Sequence, residues 1–189
     1  MKIKMIRKAM VALLFVPLLL LGTTSKVQAL PAVVSLSITR CEQEESKWCW
    51  AACAQMVGNY YGNSYSQSII VYQIKSSFTN AGATDSEVSQ AMNYVLPSGK
   101  KATCVDKISH DTMMTKLAQG YPIPIKMLWN SGGAHDVVVS GYTSDGKITI
   151  TDPGEGCSRK NSYSYTALVT GTTISSGTGK YVKTWLITS

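Results

Sequence analysis

Cys49 opens a run of small, helix-favouring residues, and Gln43 stands six residues before it in Gln43-Glu44-Glu45-Ser46-Lys47-Trp48-Cys49-Trp50. A cysteine in the first turn of a helix is a poised nucleophile, because backbone N–H groups and the positive helix end favour its thiolate. A glutamine just upstream can give a side-chain N–H to an oxyanion. His135 comes much later, at the start of a valine-rich strand. Brought alongside, it would hold the thiolate as an ion pair and later release its proton. Asp152 ends the next strand and could accept the second imidazole N–H, fixing tautomer and ring orientation. Cys53, one turn deeper, has worse access to the helix start and reads as structural. His110 precedes Asp111 near another helix start and reads as a surface residue.

The elements that must carry these groups follow from pattern. Val33 to Thr39 alternates as a short strand, and polar Cys41 to Lys47 is a loop. Trp48 to Tyr61 reads as a helix ended by Gly62, with Ala52, Met56 and Tyr60 on one buried face. Ser66 to Ser76 is a second helix. Thr84-Asp85-Ser86-Glu87 fits a capping box opening a third, which carries Val88, Ala91, Met92 and Val95 inward and stops before Pro97. Asp111 to Gln119 is a fourth. Strands then take over: Ile123 to Trp129, His135 to Tyr142 after the turn Asn130 to Gly133, and Lys147 to Asp152 after Asp145-Gly146. Thr170 to Lys180 reads as a long surface loop before a last strand, Tyr181 to Ile187. Helices first and strands second is the α+β arrangement.

The hairpin imposes a condition. A tight Asp145-Gly146 loop pairs Val139 with Asp152 and leaves His135 and Asp152 about 13 Å apart along the strand. A register shifted by two sets Asp152 across from Val137, diagonal to His135 at roughly 7–8 Å between backbones. A longer loop or a bulge is therefore expected. Asp136 faces away from His135 and is not the expected orienter. Trp48 and Trp129 are either cleft walls or core, core being the default.

Residues 1–29 read as an export signal of bacterial type: Lys2, Lys4, Arg7 and Lys8, an uncharged stretch from Ala9 to Gly22, and Val27-Gln28-Ala29 before the cleavage point. That stretch is short for a span of about 20 apolar residues, so no stable membrane association is expected once it is removed. Residues 30–189 form one domain, exported to the periplasm or the extracellular space. The formal charge of +7 is mostly the signal's. Five of the 18 basic residues lie there, and the remainder, 13 basic against 11 acidic, shows no basic stripe for nucleic acid. Besides Cys49, the chain has Cys41, Cys53, Cys104 and Cys157. Export permits these four to form two bridges, in any of three pairings. No Cys-x-x-Cys pair occurs and the two histidines are far apart, so neither zinc nor any cofactor is expected.

At these residues the chain resembles papain-like cysteine proteases, which pair an upstream oxyanion glutamine with a Cys-Trp opening the central helix. Gln43, Cys49 and Trp50 match in type and spacing, and Gly132-Gly133-Ala134-His135 through Gly141-Tyr142 matches the family's histidine strand. Trp48 to Ala52, Met56, Tyr60 to Gly62 and Asp152-Pro153 look like the compact bacterial branch, which includes bacteriocin-leader peptidases and the cysteine protease effectors of plant pathogens. Like that branch, it has Asp152 where papain carries asparagine. The likeness covers roughly residues 41 to 156. It implies a helical half, with the cysteine helix packed on a twisted antiparallel sheet. It also implies a thiol peptidase acting on a protein or peptide without metal or cofactor. Papain-type enzymes usually carry a long inhibitory pro-segment, and only Leu30 to Arg40 separates the signal from Cys41. The alternatives are another thiol acyl-transfer enzyme, such as a transglutaminase or amidase, and a non-catalytic binding protein on the same scaffold. Oligomeric state is left open.

Overall fold

The computed structural model describes residues 29–156 and 160–189. The expected export signal, apart from Ala29, and Cys157 lie outside the described residues. Four helices come early, α1 (Cys49–Tyr60), α2 (Gln67–Lys75), α3 (Asp85–Val95) and α4 (His110–Ala118), and a short α5 (Tyr165–Thr170) late. The strands are β1 (Val34–Ser35), β2 (Lys101–Asp106), β3 (Ile123–Trp129), β4 (Ala134–Tyr142), β5 (Ile148–Thr151), β6 (Asn161–Tyr163), β7 (Thr172–Ile174) and β8 (Gly177–Thr188). They form an antiparallel sheet of order β2-β8-β3-β4-β5-β6, with β1 beside β4 and β7 beside β8. This is the expected α+β arrangement.

The expected capping box is complete: Glu87 N–H donates to Thr84 Oγ1, and Glu87 Oε2 accepts from the Thr84 N–H at 2.8 Å. Ser66 and Ser109 cap α2 and α4 singly, their hydroxyls accepting from the Ile69 and Thr112 N–H groups. Alternation along β4 sends its valines to two cores. Val138 joins Trp50, Met56, Ile70, Val88 and Trp185 under α1–α3, while Val137 and Val139 join Met113, Leu117, Ile125, Leu168 and Tyr181 under α4 and α5. Helices thus cover both sheet faces, where the sequence had suggested a single helical half.

Two expectations are corrected. The strand expected over Val33 to Thr39 shrinks to Val34–Ser35. It pairs with β4 only at Val34↔Tyr142 and Ser35↔Gly141, up to the irregularity of β4 at Ser140, and lies so close that a Cβ on Gly141 would sit 2.1 Å from the Val34 carbonyl oxygen. Gly141→Ala therefore pushes β1 off the sheet. Overpacking of this kind costs about 1–3 kcal/mol, and a denaturant titration should read a loss in that range. The second correction concerns Thr170 to Lys180. It is not a surface loop but holds β7 and the start of β8, paired from Thr172↔Gly179 to Ile174↔Gly177. Among the described residues no bridge links Cys41, Cys53 and Cys104 to one another, and Cys157, a member of every expected pairing, lies outside them.

Candidate active site

The hairpin meets the condition set by the sequence through both expected devices. Ser144, Asp145 and Gly146 form the loop, closed by the Thr143 N–H on the Lys147 carbonyl at 2.9 Å. This moves the register by one relative to a tight turn. Gly141 pairs with Thr149, but Val139 pairs with Ile150. Ser140 is therefore bulged out, which moves the register by one more. Asp152 then follows Thr151, whose partner is Val138. Its Oδ1 lies 2.8 Å from Nε2 of His135. Both side chains are buried.

With Nε2 committed to Asp152, the other ring nitrogen is left for Cys49, which lines the same cleft. Cys49 is the first residue of α1. Trp48 at the N-cap offers no side-chain cap, and the first turn holds no acid. The N–H groups and positive dipole of the helix are therefore directed at the sulfur without a competing anion. Burial works against the charged form of His135. The hydrogen bonds to Asp152 and Cys49, and the negative charges of both, outweigh it and hold the ring's pKa at about 10. Burial alone would push Asp152 up. The bond from His135, the ring's charge, the Gly154 N–H and the Ser176 hydroxyl hold it below the usual carboxylate range instead.

Two supporting residues, Ser176 and Arg40, carry no signal in the sequence; a third, Trp129, reads there as cleft wall or core. Ser176, in the turn between β7 and β8, donates to Oδ2 of Asp152 at 2.7 Å. Arg40 donates from Nε to the Asp152 carbonyl at 2.6 Å and from Nη2 to the Gly154 carbonyl, tying that segment to the chain before the helix. Trp129 stacks on the His135 ring, centroids 5.5 Å apart and planes 18° apart, so it lines the cleft while also packing on the second core. Trp48 takes the core reading, its indole donating to the Thr79 carbonyl. His110 is not a simple surface residue; Nε2 sits 2.9 Å from the Gly146 carbonyl oxygen, and the ring packs on Tyr165.

Gln43 borders a groove shared with Trp129, His135 and Ser176. Its backbone N–H donates to the Pro153 carbonyl at 2.8 Å. One hydrogen of its amide donates to the Glu45 carbonyl at 3.1 Å, leaving the second for another acceptor. Asp136 makes no bond to His135, as expected from its place on the strand. Cys53 is fully buried in the core under α1, and burial pushes its thiol well up, ahead of the repulsion from Asp136 and Cys49. A thiol held protonated in this way is a poor rival nucleophile. Among the described residues, no group of three His, Cys, Asp or Glu side chains is arranged to hold a metal ion.

A sulfur at a helix mouth, an imidazole and a carboxylate that orients it can form and break an acyl-thiol bond. Carried on a central helix packed against an antiparallel sheet, this arrangement is that of the papain-like cysteine peptidases. The chain belongs to the family described as papain-like cysteine protease AvrRpt2, whose profile matches residues 33–168, and is a cysteine-type peptidase. Among solved structures it is similar to the peptidase domain of Streptococcus ComA, a bi-functional ABC transporter involved in a quorum-sensing pathway. The TM-score is 0.56 at 16% identity, covering 78% of this chain and 95% of that one. It is also similar to a double-glycine-motif protease from an AMS/PCAT transporter, solved in complex with the leader peptide. There the TM-score is 0.55 at 16% identity, covering 82% of this chain and 95% of that one. At such identities the likeness is one of fold. No curated protein matches the sequence.

The hydroxyl of Ser176 is one charge-assisted bond to Asp152, the kind worth about 1.5–3 kcal/mol. Ser176→Ala should therefore lower kcat/KM by about tenfold or more on any cleaved peptide. It should also move the alkaline limb of the pH–rate profile upward, since without this donor the Asp152 carboxylate is more basic and holds the ring's proton more firmly. An unchanged profile would show that Asp152 does not need this bond.

Proposed function

We propose that the chain is an exported peptidase that hydrolyses peptide bonds through Cys49, His135 and Asp152, with Gln43 as an oxyanion donor. The observation that carries this reading is the position of His135, bonded to Asp152 through Nε2 and lining one cleft with Cys49. Cys49 attacks the scissile carbonyl as a thiolate, forming a C–S bond while the carbonyl electrons move to oxygen. The free hydrogen of the Gln43 amide and the Cys49 N–H receive that oxyanion; losing one such donor costs on the order of 3 kcal/mol. The intermediate collapses, the C–N bond breaks, and His135 gives its proton to the departing amine. Thioester formation also removes the thiolate charge that helped hold this proton, so the ring releases it when the leaving group needs it. A water then attacks the thioester, His135 takes its proton, and the acid leaves as Cys49 returns to thiolate.

Residues 1–29 act in this reading as a bacterial export signal and residues 30–189 as the catalytic domain, working in the periplasm or outside the cell. The N-terminal charge and apolar pattern support this. The substrate is a protein or peptide, as for the leader-peptide complex of the similar transporter protease. The deciding experiment incubates the enzyme with a peptide library, with and without a labelled amine. Hydrolysis products with water as acceptor support the reading. Amine incorporation as the main product would instead make the chain a transferase.

A further inference from the structure

We propose that Asp136 is a specificity-determining residue of the cleft, receiving a positively charged side chain, lysine or arginine, close to the scissile bond. This rests on the peptidase reading above and adds the class of side chain that its site takes.

Asp136 follows His135 on β4 and is only 4% exposed. It forms part of a cavity of about 280 Å³ that also holds Cys49, His135, Lys126, Gly82 and Ala83. A carboxylate buried this deeply ordinarily has its oxygens paired. Asp152 follows that rule, taking donors from His135, Gly154 and Ser176. Asp136 does not: its Oδ1 has no hydrogen-bond partner.

The missing partner is not a matter of distance along the sheet. Lys126 stands directly opposite Asp136 in the β3–β4 ladder. Its ammonium is drawn away, however, to Asp85 on α3, and lies 5.2 Å from the centroid of the Trp185 ring. Of Asp85, Lys126 and Asp136, one negative charge is left without a bonded counter-ion, and its residue is among those lining the cavity beside the nucleophile. Burial pushes the Asp136 carboxyl up to about 6 against the pull of Lys126 and His135, so it is mostly ionised at neutral pH.

The rest of the cavity suits a long side chain. Gly82 and Ala83 form another part of its wall and leave space, with nothing within 4 Å of where a Cβ on Gly82 would stand. That wall is fixed because Trp48 and Trp50 donate their indole N–H groups to the Thr79 and Ala81 carbonyls just before it. Lys47 also borders the cavity, but at its exposed rim, where solvent screens its charge. An ammonium or guanidinium reaching Asp136 makes a charge-assisted bond in a partly dehydrated space, whereas an uncharged side chain of equal length leaves the carboxylate unpaired.

The test is a set of fluorogenic peptides identical except for lysine, arginine, glutamine or norleucine at each of three positions on either side of the cleaved bond. At one position the wild-type enzyme should prefer lysine or arginine to norleucine by at least about tenfold in kcat/KM. In Asp136→Asn that ratio should fall to near one. The ratio is insensitive to how much of the variant folds. A wild-type enzyme with no basic preference, a preference for glutamine over lysine, or a lysine-to-norleucine ratio that survives in Asp136→Asn would each overturn the proposal. If no peptide is cleaved at all, the peptidase reading fails separately. Calorimetric binding of the lysine and norleucine peptides to the Cys49→Ala chain still reads the subsite, with equal affinities overturning it.

Discussion

Cys49→Ala should lower kcat/KM to the level set by binding and oxyanion donation alone, a loss on the order of 10⁶, as when a covalent nucleophile is removed elsewhere. Cys49 opens α1 rather than filling a core, and α1 is held by Trp50, Ala51, Ala54, Met56 and Val57, all buried. The alanine variant should therefore keep its denaturation midpoint close to that of the wild type. The two readouts together separate a lost nucleophile from a lost fold. Cys53→Ala gives the contrast: its thiol is sealed in the core, so the cost appears in stability, about 1 kcal/mol for a small buried group. A cleavage rate in Cys49→Ala comparable to the wild type would exclude the proposed nucleophile.

The second large effect concerns Asp152. Asp152→Ala should reduce kcat/KM by about 10⁴, the loss seen on replacing the residue that orients a catalytic histidine. Three bonds are lost at once, from His135, Gly154 and Ser176, and the ring is left free to turn. Asp152→Asn should cost much less. Its Oδ1 can still accept from His135 and Gly154, and its amide nitrogen can donate to the Ser176 oxygen, so the geometry survives and only the charge is lost. The ordering of the two variants, measured as kcat/KM on one peptide, checks whether Asp152 acts chiefly by holding the ring or by its charge. Equal losses would assign the effect to charge.

How much of this was legible in the sequence differs from element to element. α3 was clear because Thr84 and Glu87 satisfy each other locally, and β3, β4 and β5 because turn residues bracket apolar runs. The meeting of His135 and Asp152 was foreseen only as a condition. The bulge at Ser140 has no sequence signal, since it is set by the Leu36 N–H on the Ser140 carbonyl and by the Thr151 hydroxyl on Ser140 Oγ. The β7–β8 hairpin is hidden in the sequence because its Gly, Ser and Thr residues have the composition of a loop. Gly179 is a strand residue whose Cβ would lie 2.2 Å from the Leu128 carbonyl oxygen and 2.7 Å from the Trp129 ring. The glycine permits close packing of the strand that backs the tryptophan. β2 offered no alternation to read, being an edge strand with only Ala102 fully buried. Ser176 and Arg40 reach Asp152 from 24 and 112 residues away, contacts that only the folded topology creates.

The central claim is that the imidazole of His135 and the sulfur of Cys49 act as one ion pair. The folded pKa of the ring, about 10, is raised above its ordinary value of 6.5, so the charged ring is complete at mildly acidic and neutral pH and is lost as pH rises through about 10. The rate of Cys49 alkylation by iodoacetamide, followed from pH 5 to 10 in the wild type and in His135→Ala, tests this most directly. The account predicts fast labelling already at pH 5–6 that varies little up to pH 8, and in His135→Ala a slow rate at pH 5–6 that climbs with pH as a model thiol's does. Matching profiles in the two proteins would contradict it.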